Sequence, residues 1–129
     1  MLQTGIKGEK SVVAEAANSA KVMKSGTLDV FATPAMVALM EQAAYTSVQD
    51  ELEEGQGTVG TRMDVSHISA TPLGQTVTAK SELTAIDRRK LTFSVEAYDE
   101  SGKIGEGTHE RFIVDNKSFQ EKADLKNQI

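Results

Sequence analysis

The stretch Phe31-Ala32-Thr33-Pro34-Ala35-Met36-Val37-Ala38-Leu39-Met40-Glu41-Gln42-Ala43-Ala44 decides how this chain folds. It opens with a helix start signal. Thr33 has a hydroxyl suited to an N-cap, and Pro34 follows at the first helical position, where a missing N–H costs nothing. From Ala35 to Met40 no side chain is polar, so a helix over roughly Pro34–Glu53 is expected to be buried on most of its circumference. Glu41 shares a helical face with Val37, Ala38, Ala44, Tyr45 and Val48. A carboxylate among such neighbours is expected to lose hydration, which disfavours its charged form and suits it to general acid–base work. The competing reading makes Glu41 the first residue of a solvated end that runs on through Gln49, Asp50, Glu51, Glu53 and Glu54.

Working outward, Gly55-Gln56-Gly57 stops the helix. Before it lie an extended segment over Lys10–Ala16 and an irregular connection over Asn18–Asp29, broken at Ser25-Gly26. After it come four strands. In Thr58–Ile68, Val59, Thr61, Met63, Val65 and His67 alternate with Arg62, Asp64 and Ser66. Thr71-Pro72-Leu73-Gly74 is a turn. Val77, Ala79, Leu83 and Ala85 mark an inner face in Thr76–Ile86, and Leu91, Phe93, Val95 and Ala97 mark one in Leu91–Tyr98. Hairpin turns fall at Asp87-Arg88-Arg89-Lys90 and Asp99-Glu100-Ser101-Gly102, and a last strand runs from about Ile104 to Val114. The tail from Asp115 is polar, with room for a short helix. Four antiparallel strands with one apolar helix to cover them make an α+β domain, the helix wrapped by a curved sheet. Gly105 and Gly107 alternate on the last strand and let a helix or ligand approach closely.

The chain has 129 residues, enough for one domain over 1–129 with a single core. Its formal charge of −5 disfavours nucleic acid as a partner. Cysteine is absent, which removes disulfides, thiolate metal sites and cysteine nucleophiles. The N-terminal residues lack the apolar core of a signal peptide, and no run approaches a membrane span. The expected location is the cytoplasm, with no membrane partner.

Few residues can carry chemistry. His67 falls on an apolar strand face and is expected to approach the helix that bears Glu41, as a catalytic base or a satisfied core histidine. His109 shares a face with Gly105, Gly107 and Arg111 and fits packing or an interface better than catalysis. Arg111, flanked by Phe112, Ile113 and Val114, needs a partner, and Glu41 or a ligand anion fits that need. Gly60 either offers its N–H to a developing oxyanion or marks a strand bulge. Arg88, Arg89 and Lys90 read as an exposed turn, or as a phosphate contact. Two distant histidines without thiols make no metal site, and no Gly-rich phosphate loop precedes a helix.

The order of Phe31 to Glu41, Val59-Gly60-Thr61, Asp64-Val65-Ser66-His67 and Ala70-Thr71-Pro72-Leu73-Gly74 resembles the hotdog-fold thioesterases, in the branch typified by fluoroacetyl-coenzyme A thioesterase. The resemblance spans about Val12 to Val114. It implies a hotdog homodimer, or a dimer of dimers, with active sites where protomers meet. It implies hydrolysis of acyl-coenzyme A without a metal or separate cofactor. By the same resemblance Thr33, Glu41 and His67 are catalytic, and Gly60 and Arg111 bind substrate. The acyl group does not carry over, because Lys24-Ser25-Gly26-Thr27 brings no large apolar side chain to close over a small one. The alternatives are a hotdog hydratase or dehydratase, which Asp64 with His67 imitates poorly, and a non-catalytic acyl-coenzyme A binding module.

Overall fold

The computed structural model describes residues 1–128. The first strand, β1 (Lys7–Val13), leads through one 3-10 turn at Ala16–Asn18 into a one-turn helix, α1 (Ala20–Met23), and then the long helix α2 (Thr33–Gln49). The strands β2 (Gln56–His67), β3 (Thr76–Asp87), β4 (Lys90–Asp99) and β5 (Gly102–Asp115) follow, and then α3 (Asn116–Asp124). One antiparallel sheet has the order β1-β3-β4-β5-β2, so β1 and β2 are its edges. The expected helix and four antiparallel strands are present, but only β3, β4 and β5 form a meander: β2 crosses to the far edge and pairs with β5, while β1 takes the place beside β3. Helix α2 lies against β1, β2, β3 and β4.

The core forms where α2 meets the sheet. Met36, Leu39, Met40, Ala43, Ala44 and Val48 pack on Leu83, Leu91, Phe93, Val95, Ala97 and Ile104, with Phe31 closing one end. Two glycines set how close the layers come. A side chain at Gly8 would strike the Ala43 carbonyl of α2, and one at Gly105 would meet the Met36 sulfur at 2.5 Å. The expected close approach at Gly105 is therefore made by the helix.

Three local expectations are corrected. The first strand is Lys7–Val13 rather than Lys10–Ala16, because its register is set by pairing with β3, from Lys7 opposite Glu82 to Val13 opposite Thr76. The helix ends at Gln49 rather than Glu53. Gln49 Nε2 donates to the Gln56 carbonyl (2.8 Å) and the Glu53 N–H to Gln56 Oε1 (3.1 Å), which fold residues 50–55 into a turn closed by Gly55 at φ 85°. Nor is α2 buried on most of its circumference: Ala38, Gln42 and Tyr45 are exposed and Val37 and Glu41 half-buried, so one apolar stripe faces away from the sheet.

The alternation in β2 also breaks. Gly60 pairs with Arg111 and Arg62 with Glu110, leaving Thr61 as an extra residue. Such a bulge resets which side chains face inward. Met63, Val65 and His67 keep the inner face as expected. Before the bulge Thr58 and Gly60 point inward in place of Val59 and Thr61.

Candidate active site

Thr33 is the first residue of α2 and not its cap, because Ala32 occupies that position without any side-chain bond. The Thr33 hydroxyl is therefore free of backbone work. It lies 2.7 Å from Nδ1 of His67, the last residue of β2. His67 thus reaches α2 as its strand face required, but its bonded partner is Thr33 rather than Glu41. Burial holds the imidazole below its ordinary 6.5, so His67 is neutral at pH 7 and able to accept a proton. Its Nε2 is buried and makes no hydrogen bond among the described residues. The pair borders an open cleft of about 290 Å³ lined also by Ala20, Ser25, Val30, Ser69 and Ala70.

Glu41 belongs to a second cluster. Arg111 Nη1 donates to Glu41 Oε2 at 3.3 Å, which is the pairing its sequence context called for. The guanidinium is buried, while the Glu41 side chain keeps 39% of its surface, so the expected stripping of hydration from this carboxylate does not occur within one chain. Arg111 is fixed from the opposite side by Thr58: Nε donates to Oγ1 (2.8 Å) and Nη2 to the carbonyl (2.9 Å). Its guanidinium carbon lies 5.5 Å from the centroid of the Tyr45 ring, in the range of a cation–π contact. Gly60 is the floor of this cluster, since a Cβ there would sit 2.5 Å from Glu41 Oε2. The bulge reading of Gly60 holds, since the register shifts beside it at Thr61, and its bare Cα also makes room for the carboxylate.

The residues singled out in the sequence thus fall into two groups, Thr33 with His67 and Glu41 with Arg111 and Gly60. Asp64 does not join His67, because it is exposed on the other face of β2 beside Arg62 (3.8 Å). That removes the acid–histidine pair a hydratase reading leaned on. Arg88 and Arg89 form the exposed tip of the β3–β4 hairpin, and Lys90 pairs loosely with Glu110 (3.9 Å). Sequence reasoning missed Thr58 and gave His109 to packing, yet both hold Arg111. The available signal was His109-Glu110-Arg111, which puts an imidazole and a guanidinium on one strand face. Gly60 offered the bulge as one of two readings, but nothing in the sequence said that it would turn Thr58 toward them. Among the described residues no group of three or more His, Cys, Asp or Glu is placed to hold a metal, and no helix is long and apolar enough to cross a membrane.

Comparison with known proteins agrees with this layout. The family model of the fluoroacetyl-CoA-specific thioesterase matches residues 13–117. A curated relative, the fluoroacetyl-CoA thioesterase of Streptantibioticus cattleyicolor, is 43% identical over 95 residues, 74% of this chain and 68% of the relative. A solved structure of a fluoroacetyl-CoA thioesterase superposes with TM-score 0.92 at 33% identity, covering 98% of each chain. A Thermus thermophilus thioesterase superfamily member superposes with TM-score 0.88 at 25% identity, covering 98% of this chain and 94% of its own. The helix-wrapped sheet, its polar residues and these likenesses agree: the chain is a hotdog-fold acyl-CoA thioesterase and belongs to the fluoroacetyl-CoA-specific thioesterase family.

Proposed function

We propose that Thr33 and His67 of one protomer act together with Glu41, Gly60 and Arg111 of the partner subunit on a single acyl-CoA thioester. The observation that carries this reading is the 2.7 Å contact between Thr33 Oγ1 and His67 Nδ1, which supplies a hydroxyl with a neutral base at an open cleft. Glu41 lies two helical turns further along α2, about 12 Å of rise, so one carbonyl does not reach both groups of the same chain. A two-fold dimer with antiparallel α2 helices brings them together. Two features support such a dimer: Ala38 and Tyr45 on α2 stay exposed beside half-buried Val37, and β2 is a sheet edge with no strand on its outer side among the described residues.

In this reading the Thr33 oxygen attacks the thioester carbonyl carbon while His67 Nδ1 takes its proton. Negative charge on the carbonyl oxygen faces the positive end of α2 and the Gly60 N–H. The C–S bond breaks, and the coenzyme A thiolate takes the proton from His67. Water then attacks the acyl-Thr33 ester and gives a proton to Glu41; the bond from the acyl carbon to Thr33 Oγ1 breaks and Oγ1 takes that proton, which releases the acid and restores the hydroxyl and the carboxylate. Arg111 keeps Glu41 in place. No metal or cofactor enters these steps. Small side chains at Ala20, Ser25 and Ala70, and the small, polar loop Lys24–Thr27, leave the cleft open to acyl groups larger than acetyl. The proposed location is the cytoplasm, where coenzyme A esters are used.

The test is release of free thiol from a panel of acyl-CoA esters, with intact-mass detection of acyl-Thr33 in single turnover. Turnover that disappears in Glu41→Ala and Thr33→Ala supports the assignment. Binding without thiol release from any ester would move the protein to the binding-module reading.

A further inference from the structure

We propose that His109 is a positioning residue that aims Arg111, and through it Glu41, rather than a packing histidine. The inference rests on the assignment of Glu41 to the reaction and deepens it. His109 is buried on β5 against Phe93, with ring centroids 6.1 Å apart, and nothing in the reaction scheme uses it. Its two nitrogens are both engaged. Nδ1 lies 2.7 Å from the Arg62 carbonyl, an atom that only accepts, so Nδ1 carries the proton. Nε2, 3.2 Å from Arg111 Nη1, is then a lone pair that accepts from the guanidinium.

One Nη1 nitrogen therefore donates in two directions, to His109 Nε2 and to Glu41 Oε2. With Thr58 holding Nε and Nη2, four of the five guanidinium N–H groups have partners, and the plane of the group has one orientation. The carbonyl that orients His109 belongs to Arg62, the first paired residue after the Thr61 bulge. The irregularity in β2 is thus transmitted through the imidazole to the carboxylate. Burial and the Arg111 charge both disfavour a protonated His109, and loss of its lone pair would set two positive groups against each other. Charged groups facing it are Arg111 and Glu110 on β5 and Glu41 on α2.

The test compares His109→Asn with His109→Gln in thiol release, with thermal melting as the folding control. Asn retains a donor for the Arg62 carbonyl and loses the acceptor for Arg111; Gln places an acceptor near the Nε2 position. The expected result is a kcat about tenfold or more below wild type for Asn, with KM little changed, and recovery to within about threefold for Gln. Folded variants that fall equally, or that both match wild type, overturn the proposal. The tautomer of His109 in the wild-type protein, read from 15N shifts, decides independently if the variants fail to fold. A pyrrole-type Nδ1 with a pyridine-type Nε2 supports it, and an Nε2–H tautomer or an imidazolium at pH 7 overturns it. Absence of thiol release by wild type would sink the thioesterase mechanism and leave the tautomer measurement to judge His109.

Discussion

At the start of α2 a hydroxyl and an imidazole share one hydrogen bond beside an open cleft, and the second imidazole nitrogen has no partner among the described residues. Two turns on, Glu41 ends a net in which Arg111 is held by Thr58, His109 and the Tyr45 ring. The first region is loosely tied and exposes reactive atoms. The second is dense, and most of its polar atoms are spent on one another. Groups that change bonding during a reaction need free valence, whereas a carboxylate that must present one oxygen in one place needs a rigid backing.

Complementation breaks or sharpens this comparison most strongly. His67→Ala and Glu41→Ala are each expected to lose about 10²–10⁴-fold in kcat while remaining folded. If the two regions act across a dimer, mixing the two inactive proteins under subunit exchange restores roughly a quarter of wild-type activity, because half the dimers are mixed and each has one intact site. Mixed protein that stays inactive despite exchange, measured by thiol release, would show that both regions serve the same protomer's substrate.

The next effect separates rigidity from chemistry. Arg111→Ala is expected to lower both turnover and stability, the latter by about 2 kcal/mol, because Thr58 and His109 Nε2 lose their partner inside the protein. The partly exposed Glu41 contributes little to that loss. Thr33→Ala is expected to remove turnover with almost no change in the denaturant midpoint, since its hydroxyl caps nothing. Equal destabilisation by both substitutions would erase the distinction between the regions.

Gly60→Ala should have a smaller effect. Its new methyl meets Glu41 Oε2, which is half-exposed and has room to swing away, and comes within 3.3 Å of Arg111 Nη1 and His109 Cε1, which must give slightly, so kcat falls about tenfold and the melt falls by less than in Arg111→Ala. An unchanged kcat would show that the observed place of the carboxylate is immaterial.

The smallest effect is on pH. His67 and His109 both have depressed pKa values in the folded protein, chiefly through burial. The unfolded chain therefore binds more protons as pH falls below 6.5, and stability present above that value is lost on acidification. Denaturant midpoints from pH 8 to pH 5 should decline on the acid side, and His109→Gln should flatten part of the decline. A flat wild-type profile would count against burial as the cause.

The α+β class, the buried side of α2, the β-hairpins and the inner face of β4 were legible because they rest on local periodicity and turn chemistry. The candidate residues stood out for a related reason: a threonine at a helix start, a glutamate in an apolar run and a histidine on an apolar strand face each differ from their neighbours. Their partners stood out less. Thr33 loses its capping role to Ala32 by a shift of one residue, and that shift leaves its hydroxyl available to His67.

By itself the sequence determined the long helix, the strands and the candidate side chains for chemistry, because helix periodicity, strand alternation and turns act over a few residues; the one-turn helix α1, inside what read as an irregular connection, it did not show. Tertiary structure alone decided where those side chains point. Pairing across β2 and β5 forces Thr61 out as a bulge and turns Thr58 and Gly60 inward. Packing of α2 on the sheet sets Glu41 against Arg111, and β1 takes its register from β3. Each depends on contacts between residues far apart in the chain, where one step of register exchanges the two faces of a strand.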